Sequence, residues 1–191
     1  YMMSVVPTPD EKFMIFWMED AWPASSLKFT KIDSEGNTEI GWNPNGNSLS
    51  NPSFDSRNLS VKPVAEESGL LAIWTQDGNF SDIYAQMISW DGEALWNEGG
   101  IAVSEADNDQ VNFSFEFNES KTHALITWED YRNGTDFEIF GEVIDLESGS
   151  SNNQDIQFSN DTTNQYNPTM ALVQNNEFLV IWEDERGYYN A

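Results

Sequence analysis

Ala124-Leu125-Ile126-Thr127-Trp128-Glu129-Asp130-Tyr131-Arg132-Asn133-Gly134 is an apolar run that ends in a tryptophan, two carboxylates and a turn. The same phrase occurs four times. Phe16-Trp17-Met18-Glu19-Asp20, Ile73-Trp74-Thr75-Gln76-Asp77 and Ile181-Trp182-Glu183-Asp184 repeat it, so that 57, 54 and 54 residues separate successive tryptophans. Self-similarity at a fixed period marks a repeat architecture.

Other landmarks keep step with the tryptophans. About ten residues after each of the first three comes a second apolar run, Leu27 to Asp33, Ile83 to Ser89 and Ile139 to Asp145. Each is followed by acidic residues with glycine, at Asp33 to Gly36, Asp91-Gly92 and Asp145 to Gly149. Such composition makes turns, because Asp bonds its own backbone and Gly supplies positive φ. A short stretch then ends in serine each time, at Ser50, Ser104 and Ser159, and a further extended stretch precedes the next tryptophan. Four short strands per unit of about 55 residues predict an all-β fold, a β-propeller of four-stranded antiparallel blades. The whole of 1–191 reads as a single propeller region, with blades at approximately 1–57, 58–110 and 111–165 and a partial blade at 166–191, about three and a half blades.

The burial pattern favours stacked blades over a sheet open on one side. One face of the tryptophan strands carries Phe13, Ile15 and Trp17, then Leu70, Ala72 and Trp74, then Ala124, Ile126 and Trp128, then Phe178, Val180 and Trp182. The opposite face is also largely apolar, with Met14 and Phe16, Leu71 and Ile73, Leu125, and Leu179 and Ile181. A strand apolar on both faces is expected to be covered on both. A closed propeller has at least four blades, so the count predicts an internal piece of a longer polypeptide, with a homo-oligomeric partner as the alternative means of completion. Tyr1 opens the chain and no charged segment with an apolar stretch precedes the fold, so a signal peptide is expected to lie outside it.

Thirty-three acidic residues stand against eight basic ones, a formal charge of −25. A field of that sign repels phosphate backbones and anionic lipid, which argues against nucleic acid as a partner. No run of eighteen apolar residues occurs, so membrane insertion by a helix is not expected. Cysteine is absent, compatible with an oxidising exterior. Salt or divalent cations would screen the self-repulsion, which points to an extracellular or cell-surface setting.

The acidic residues concentrate in the loops after the tryptophan strands and in the connections between blades, at Glu105, Asp107, Asp109 and Asp161. In a propeller these emerge on one face. Calcium takes six to eight hard oxygens, and Asp77, Asn79 and Asp82, or Asp130, Asn133 and Asp136, are the candidate metal ligands, with Ca2+ as the candidate cofactor. The competing reading is turn capping and ion pairing, Asp130 with Arg132 and Asp184 with Arg186 bracing equivalent loops. Trp22 and Trp90 lie outside the repeat and are candidates for stacking on sugar rings, or for partial burial between blades.

Trp128-Glu129-Asp130-Tyr131-Arg132-Asn133-Gly134, with Asp82-Ile83-Tyr84-Ala85-Gln86 and Asp91-Gly92-Glu93-Ala94-Leu95-Trp96, resembles the repeat of large secreted bacterial β-propeller proteins, which often end in a type IX secretion sorting domain. The first unit departs from it, Ala21-Trp22-Pro23 standing where the Arg-Asn-Gly part would be. The resemblance implies architecture and secretion rather than an activity. Ser89 to Trp96 is also weakly similar to the Asp-box hairpin of sialidase-like propellers.

No familiar catalytic constellation is visible. A sialidase-like site would need an arginine cluster, and the chain has only Arg57, Arg132 and Arg186. His123 is the sole histidine, and neither a nucleophile elbow nor a phosphate loop occurs. Carboxylate pairs are too abundant for any one to stand out. The expectation is therefore no enzyme: a non-catalytic extracellular scaffold or interaction module that binds protein, glycan or cations through its acidic loop face. The rival is the propeller portion of a secreted carbohydrate-active or proteolytic enzyme with catalysis elsewhere in the polypeptide.

Overall fold

The computed structural model describes residues 3–187 apart from 21, 23, 66, 67, 152 and 153. Ala21 and Pro23, singled out above, thus lie outside the described residues. Among the described residues every regular element is a strand except a 3-10 turn at Glu185–Gly187. The first sheet takes β1 (Met3–Pro7), β2 (Phe13–Glu19), β3 (Ser26–Ile32) and β4 (Asn47–Ser48) in chain order. The second takes β5 (Asp55–Ala65), β6 (Gly69–Asp77), β7 (Ser81–Ile88) and β8 (Ile101–Ser104), and the third β9 (Gln110–Phe117), β10 (His123–Asp130), β11 (Glu138–Asp145) and β12 (Ile156–Gln157). The fourth has two strands, β13 (Gln165–Leu172) and β14 (Phe178–Asp184). Each tryptophan strand is second in its sheet, and in the first three sheets the short strand ending near serine is fourth.

The turns and serines do what their chemistry suggests. Asp33 accepts the N–H groups of Glu35 and Asn37 at 3.0 and 2.8 Å, and Asp145 accepts that of Ser148 at 2.8 Å. Ser50 Oγ accepts the N–H of Leu27 at 3.0 Å, and Ser159 Oγ that of Ile139 at 2.7 Å, so each hydroxyl satisfies a buried donor at the start of the third strand.

Chain contacts group into two compact units, residues 1–79 with 84–102, and 80–83 with 103–191. In the first unit, Val6, Met14, Phe16, Leu27 and Phe29 of the first sheet pack with Leu70, Ala72 and Trp74 of the second. The joint therefore sets the face opposite Trp17 against the face that carries Trp74. Glycine makes room for the indole: a Cβ on Gly100 would sit 2.5 Å from the Trp74 ring, and one on Gly46 2.5 Å from the Trp17 ring. In the second unit β13 lies against β9, β10 and β11, joining the third sheet to the fourth.

Coverage on both faces holds for β6 and β10, whose residues from Leu70 to Gln76 and from Ala124 to Asp130 are buried. It fails for β2 and β14. Met14 and Phe16 are buried while Ile15 and Trp17 are half-buried, and in β14 Leu179 and Ile181 are exposed while Val180 and Trp182 are half-buried. The expectation that every tryptophan strand is covered on both faces is corrected on that account, because the first and fourth sheets each have one face with no sheet against it among the described residues.

Candidate functional site

In the second unit, the end of β10 gathers a polar cluster around one buried carboxylate. Trp128 Nε1 donates to Asp130 Oδ2 at 2.7 Å. Arg132 grips the same carboxylate with Nε at 2.8 Å and Nη2 at 2.6 Å, and its backbone N–H adds a third bond at 2.9 Å. The guanidinium also reaches Asp155 Oδ2 at 2.6 Å and lies 4.0 Å from the centre of the Phe140 ring. Burial alone would lower the Arg132 pKa, but the bonds to Asp130 and Asp155 outweigh it and hold the pKa above its usual value. This brace is the capping and ion-pairing reading of the loop. Asn133 Oδ1 meanwhile accepts the N–H groups of Thr135 and Asp136, and Asp136 Oδ2 accepts the Thr135 hydroxyl. Asp130, Asn133 and Asp136 thus have oxygens occupied by their own loop.

A second acidic group forms where β7 begins. Asp82 stands near Glu105 and Asp109, and Asp109 Oδ1 accepts the N–H of Ser81 at 2.9 Å. Burial, then the charges of Glu105 and Asp109, push the Asp82 carboxyl up to about 6. A carboxyl raised that far is partly protonated near neutrality beside carboxylates of the same charge. Such a pairing suits transfer of a proton to a leaving group. The sequence placed Asp82, Glu105 and Asp109 on one acidic face, and the fold brings them together.

The third feature was missed by sequence reasoning. Asn58, Asn112 and Asn167 adopt positive φ of 55, 49 and 52° at register shifts in β5, β9 and β13. Each reaches the residue after the tryptophan. Asn58 Nδ2 donates to Thr75 Oγ1, Asn112 Nδ2 to Glu129 Oε2 at 2.9 Å, and Asn167 Nδ2 to Glu183 Oε1 at 3.0 Å. Asn tolerates the left-handed backbone better than other side-chain-bearing residues, and β-bulges re-aim side chains. Glu129 also accepts the backbone N–H of Asn167 at 2.7 Å, and burial raises its pKa although both bonds oppose the shift. The signal was available: each Asn precedes its tryptophan by 15 or 16 residues.

Of the remaining sequence candidates, Asp77 forms an ion pair with Arg57 in the first unit, and Asn79 is exposed there, whereas Asp82 belongs to the second unit. Among the described residues no group of three or more His, Asp or Glu side chains is arranged to hold a metal ion. Trp90 is half-buried against the core, with Nε1 donating to the Ala65 carbonyl at 3.3 Å and its own carbonyl accepting Lys31 Nζ at 3.2 Å. Trp22 is 95% exposed. No helix among the described residues is long and apolar enough to cross a membrane.

No protein-family model matches the chain, and no curated protein sequence does. Solved structures do. An endo-arabinase from Bacteroides thetaiotaomicron superimposes with a TM-score of 0.52 at 11% identity, over 93% of this chain and 68% of its own. An alpha-L-arabinofuranosidase from Lactobacillus brevis gives 0.51 at 10% identity, over 94% and 63%. A thermostable family-43 glycoside hydrolase gives 0.53 at 12%, over 96% and 65%. The fold is a β-propeller of four-stranded antiparallel blades, and the chain spans about two thirds of the length of these proteins.

The expectation that the chain is not an enzyme is corrected here. Proteins that share its fold over nearly its whole length cleave glycosides. Glycoside hydrolysis asks for little more than two suitably placed carboxyl groups. The sequence offers so many that none announces itself, and the absence of arginine clusters or nucleophile elbows was no argument against that chemistry.

Proposed function

We propose that this chain is the propeller portion of a secreted carbohydrate-active enzyme that acts on neutral glycosides, arabinose-containing chains first among them. The observation that carries the reading is the common fold with three glycoside-cleaving enzymes across 93 to 96% of the chain. Two further features support it. Asp82, raised to about 6 by burial and by the charges of Glu105 and Asp109, supplies a carboxyl that holds its proton to higher pH than an ordinary aspartate, as a proton donor in glycosidic cleavage must. The charge of −25 disfavours anionic polysaccharides and leaves neutral ones. Exposed Trp22 offers a face for sugar stacking, and the resemblance to secreted bacterial repeat proteins supports export.

The test is release of reducing ends by the polypeptide that carries this chain, from arabinan, arabino-oligosaccharides and aryl arabinofuranosides, with an acidic polysaccharide as control. Activity on the neutral substrates is expected. Asp82→Asn should lower kcat by about 10² to 10⁴ if its proton is the one transferred. Activity insensitive to that change would move the chemistry elsewhere in the polypeptide. Silence on every neutral glycan would end the carbohydrate reading.

A further inference from the structure

One residue after the Asp130 carboxylate the repeat changes character. The third position beyond the tryptophan is Asp20, Asp77 and Glu185 in the first, second and fourth repeats, and Tyr131 in the third. The residue before the bulge asparagine changes likewise: Arg57 and Val111 give way to Tyr166. Both departures fall on the joint between the third and fourth sheets, and the fold gathers them around Phe137. The Tyr131 and Phe137 rings have their centres 4.9 Å apart and are tilted by 41°, and those of Phe137 and Tyr166 are 5.8 Å apart and tilted by 47°. All three residues are half-buried, on a loop face otherwise rich in carboxylates.

The row is held by its backbone. Tyr131 N–H donates to the Asp109 carbonyl at 2.9 Å and Phe137 N–H to Asn164 Oδ1 at 3.0 Å. The Phe137 carbonyl accepts the N–H of Gln165, the neighbour of Tyr166, at 2.8 Å. Ring positions are thus fixed before a ligand arrives, which reduces the ordering cost of binding. Asp109 also ties the row to the acidic group at the start of β7, since its Oδ1 accepts the N–H of Ser81, next to Asp82, at 2.9 Å. Aromatic side chains with a few polar groups beside them are the usual lining of a small-molecule site, and tyrosine supplies broad, rigid, amphipathic contact area. A neutral sugar ring matches both parts: its C–H face covers the aromatic rings, and the hydroxyls at its rim donate to carboxylates.

We infer that Tyr131, Phe137 and Tyr166 form the platform on which a neutral glycosyl unit of the substrate stacks, beside Asp109 and on the same loop face as Asp82. The inference rests on the glycoside reading above and names the side chains that position the sugar.

The test uses the polypeptide that carries this chain, with an arabino-oligosaccharide as probe. Tyr131→Ala and Tyr166→Ala should each weaken binding and raise KM about tenfold or more, with a much smaller change in kcat. Tyr131→Phe and Tyr166→Phe keep the rings and should stay within about threefold of the unmodified protein. Saturating oligosaccharide should perturb the tyrosine ultraviolet absorption of the unmodified protein, and a Tyr131→Phe/Tyr166→Phe variant should bind as well without that perturbation. Unchanged binding and KM in a folded Tyr131→Ala/Tyr166→Ala variant would overturn the platform and leave the carbohydrate reading standing. Neither binding nor cleavage of any neutral glycan by the unmodified polypeptide would end both. Were the alanine variants not to fold, a tyrosine spectrum that saturating sugar leaves unmoved would overturn the platform by itself.

Discussion

The loops after Trp74 and after Trp128 hold the same station in consecutive repeats and settle their indoles differently. Trp128 Nε1 has Asp130, Asp130 has Arg132, and Arg132 reaches on to Asp155. Two residues after Trp74 the chain has Gln76, and neither Trp74 Nε1 nor Gln76 Oε1 has a hydrogen-bond partner. Both tryptophans are fully buried. The apolar strand is thus common property of the repeat, while the polar layer at its end is free to diverge. An orphaned buried polar atom costs about 1 to 3 kcal/mol, so the Trp74 loop carries a penalty that the Trp128 loop has removed with a charged network.

The largest effects should come from what the two loops share. Trp74→Ala and Trp128→Ala should each lower unfolding free energy by about 3 to 5 kcal/mol in chemical denaturation, while Trp17→Ala, at a half-buried site, should cost about half as much. Equal losses at all three would break the distinction between inner and outer sheets. Next comes the polar layer. Asp130→Ala leaves Arg132 half-buried without its main partner and should cost about 3 kcal/mol, whereas Gln76→Leu removes an unpaired acceptor and should be neutral or stabilising by about 1 kcal/mol. Similar losses from both would mean that the Trp74 loop is satisfied in solution after all.

Smaller effects sharpen the picture. Asp82 has a folded pKa of about 6 against an ordinary 3.8, so the folded protein holds the proton more tightly. Its contribution favours folding at low pH and is lost as pH rises through that window. Asp82→Asn should therefore stabilise the protein at pH 7 by on the order of 1 kcal/mol and leave stability at pH 3.5 unchanged; a pH-independent gain would contradict the assignment. The smallest change is expected at Arg186, which repeats the Arg132 contact with Asp184 but is 64% exposed. Arg186→Ala should leave the denaturation midpoint essentially unchanged, set against a loss of about 2 kcal/mol or more for Arg132→Ala.

Much of the fold was legible because its signals are local. The short apolar runs Phe13 to Trp17 and its three counterparts mark strands, Asp33 to Gly36 and Asp145 to Gly149 mark turns, and Ser50 and Ser159 lie just past the ends of the fourth strands. The site was legible only in part. Asp82, Glu105 and Asp109 could be assigned to one face from topology, but not to one another's electrostatic reach. The spacing of Asp130, Asn133 and Asp136 offers three oxygen ligands but says nothing of the hydrogen bonds those oxygens accept within their own loop. Trp90 looked available for sugar until its indole was found against the core. The three bulge asparagines were overlooked because positive φ at Asn leaves no hydrophobic signature.

Period, strand order and turn chemistry were determined by the chain alone, since each arises from neighbours within a few residues. Tertiary structure decided which carboxylates are occupied and which are raised in pKa, and which tryptophans are sealed on both faces. Those properties depend on desolvation and on partners such as Asp155, 23 residues from Arg132, that only the packing of one strand on another brings into contact.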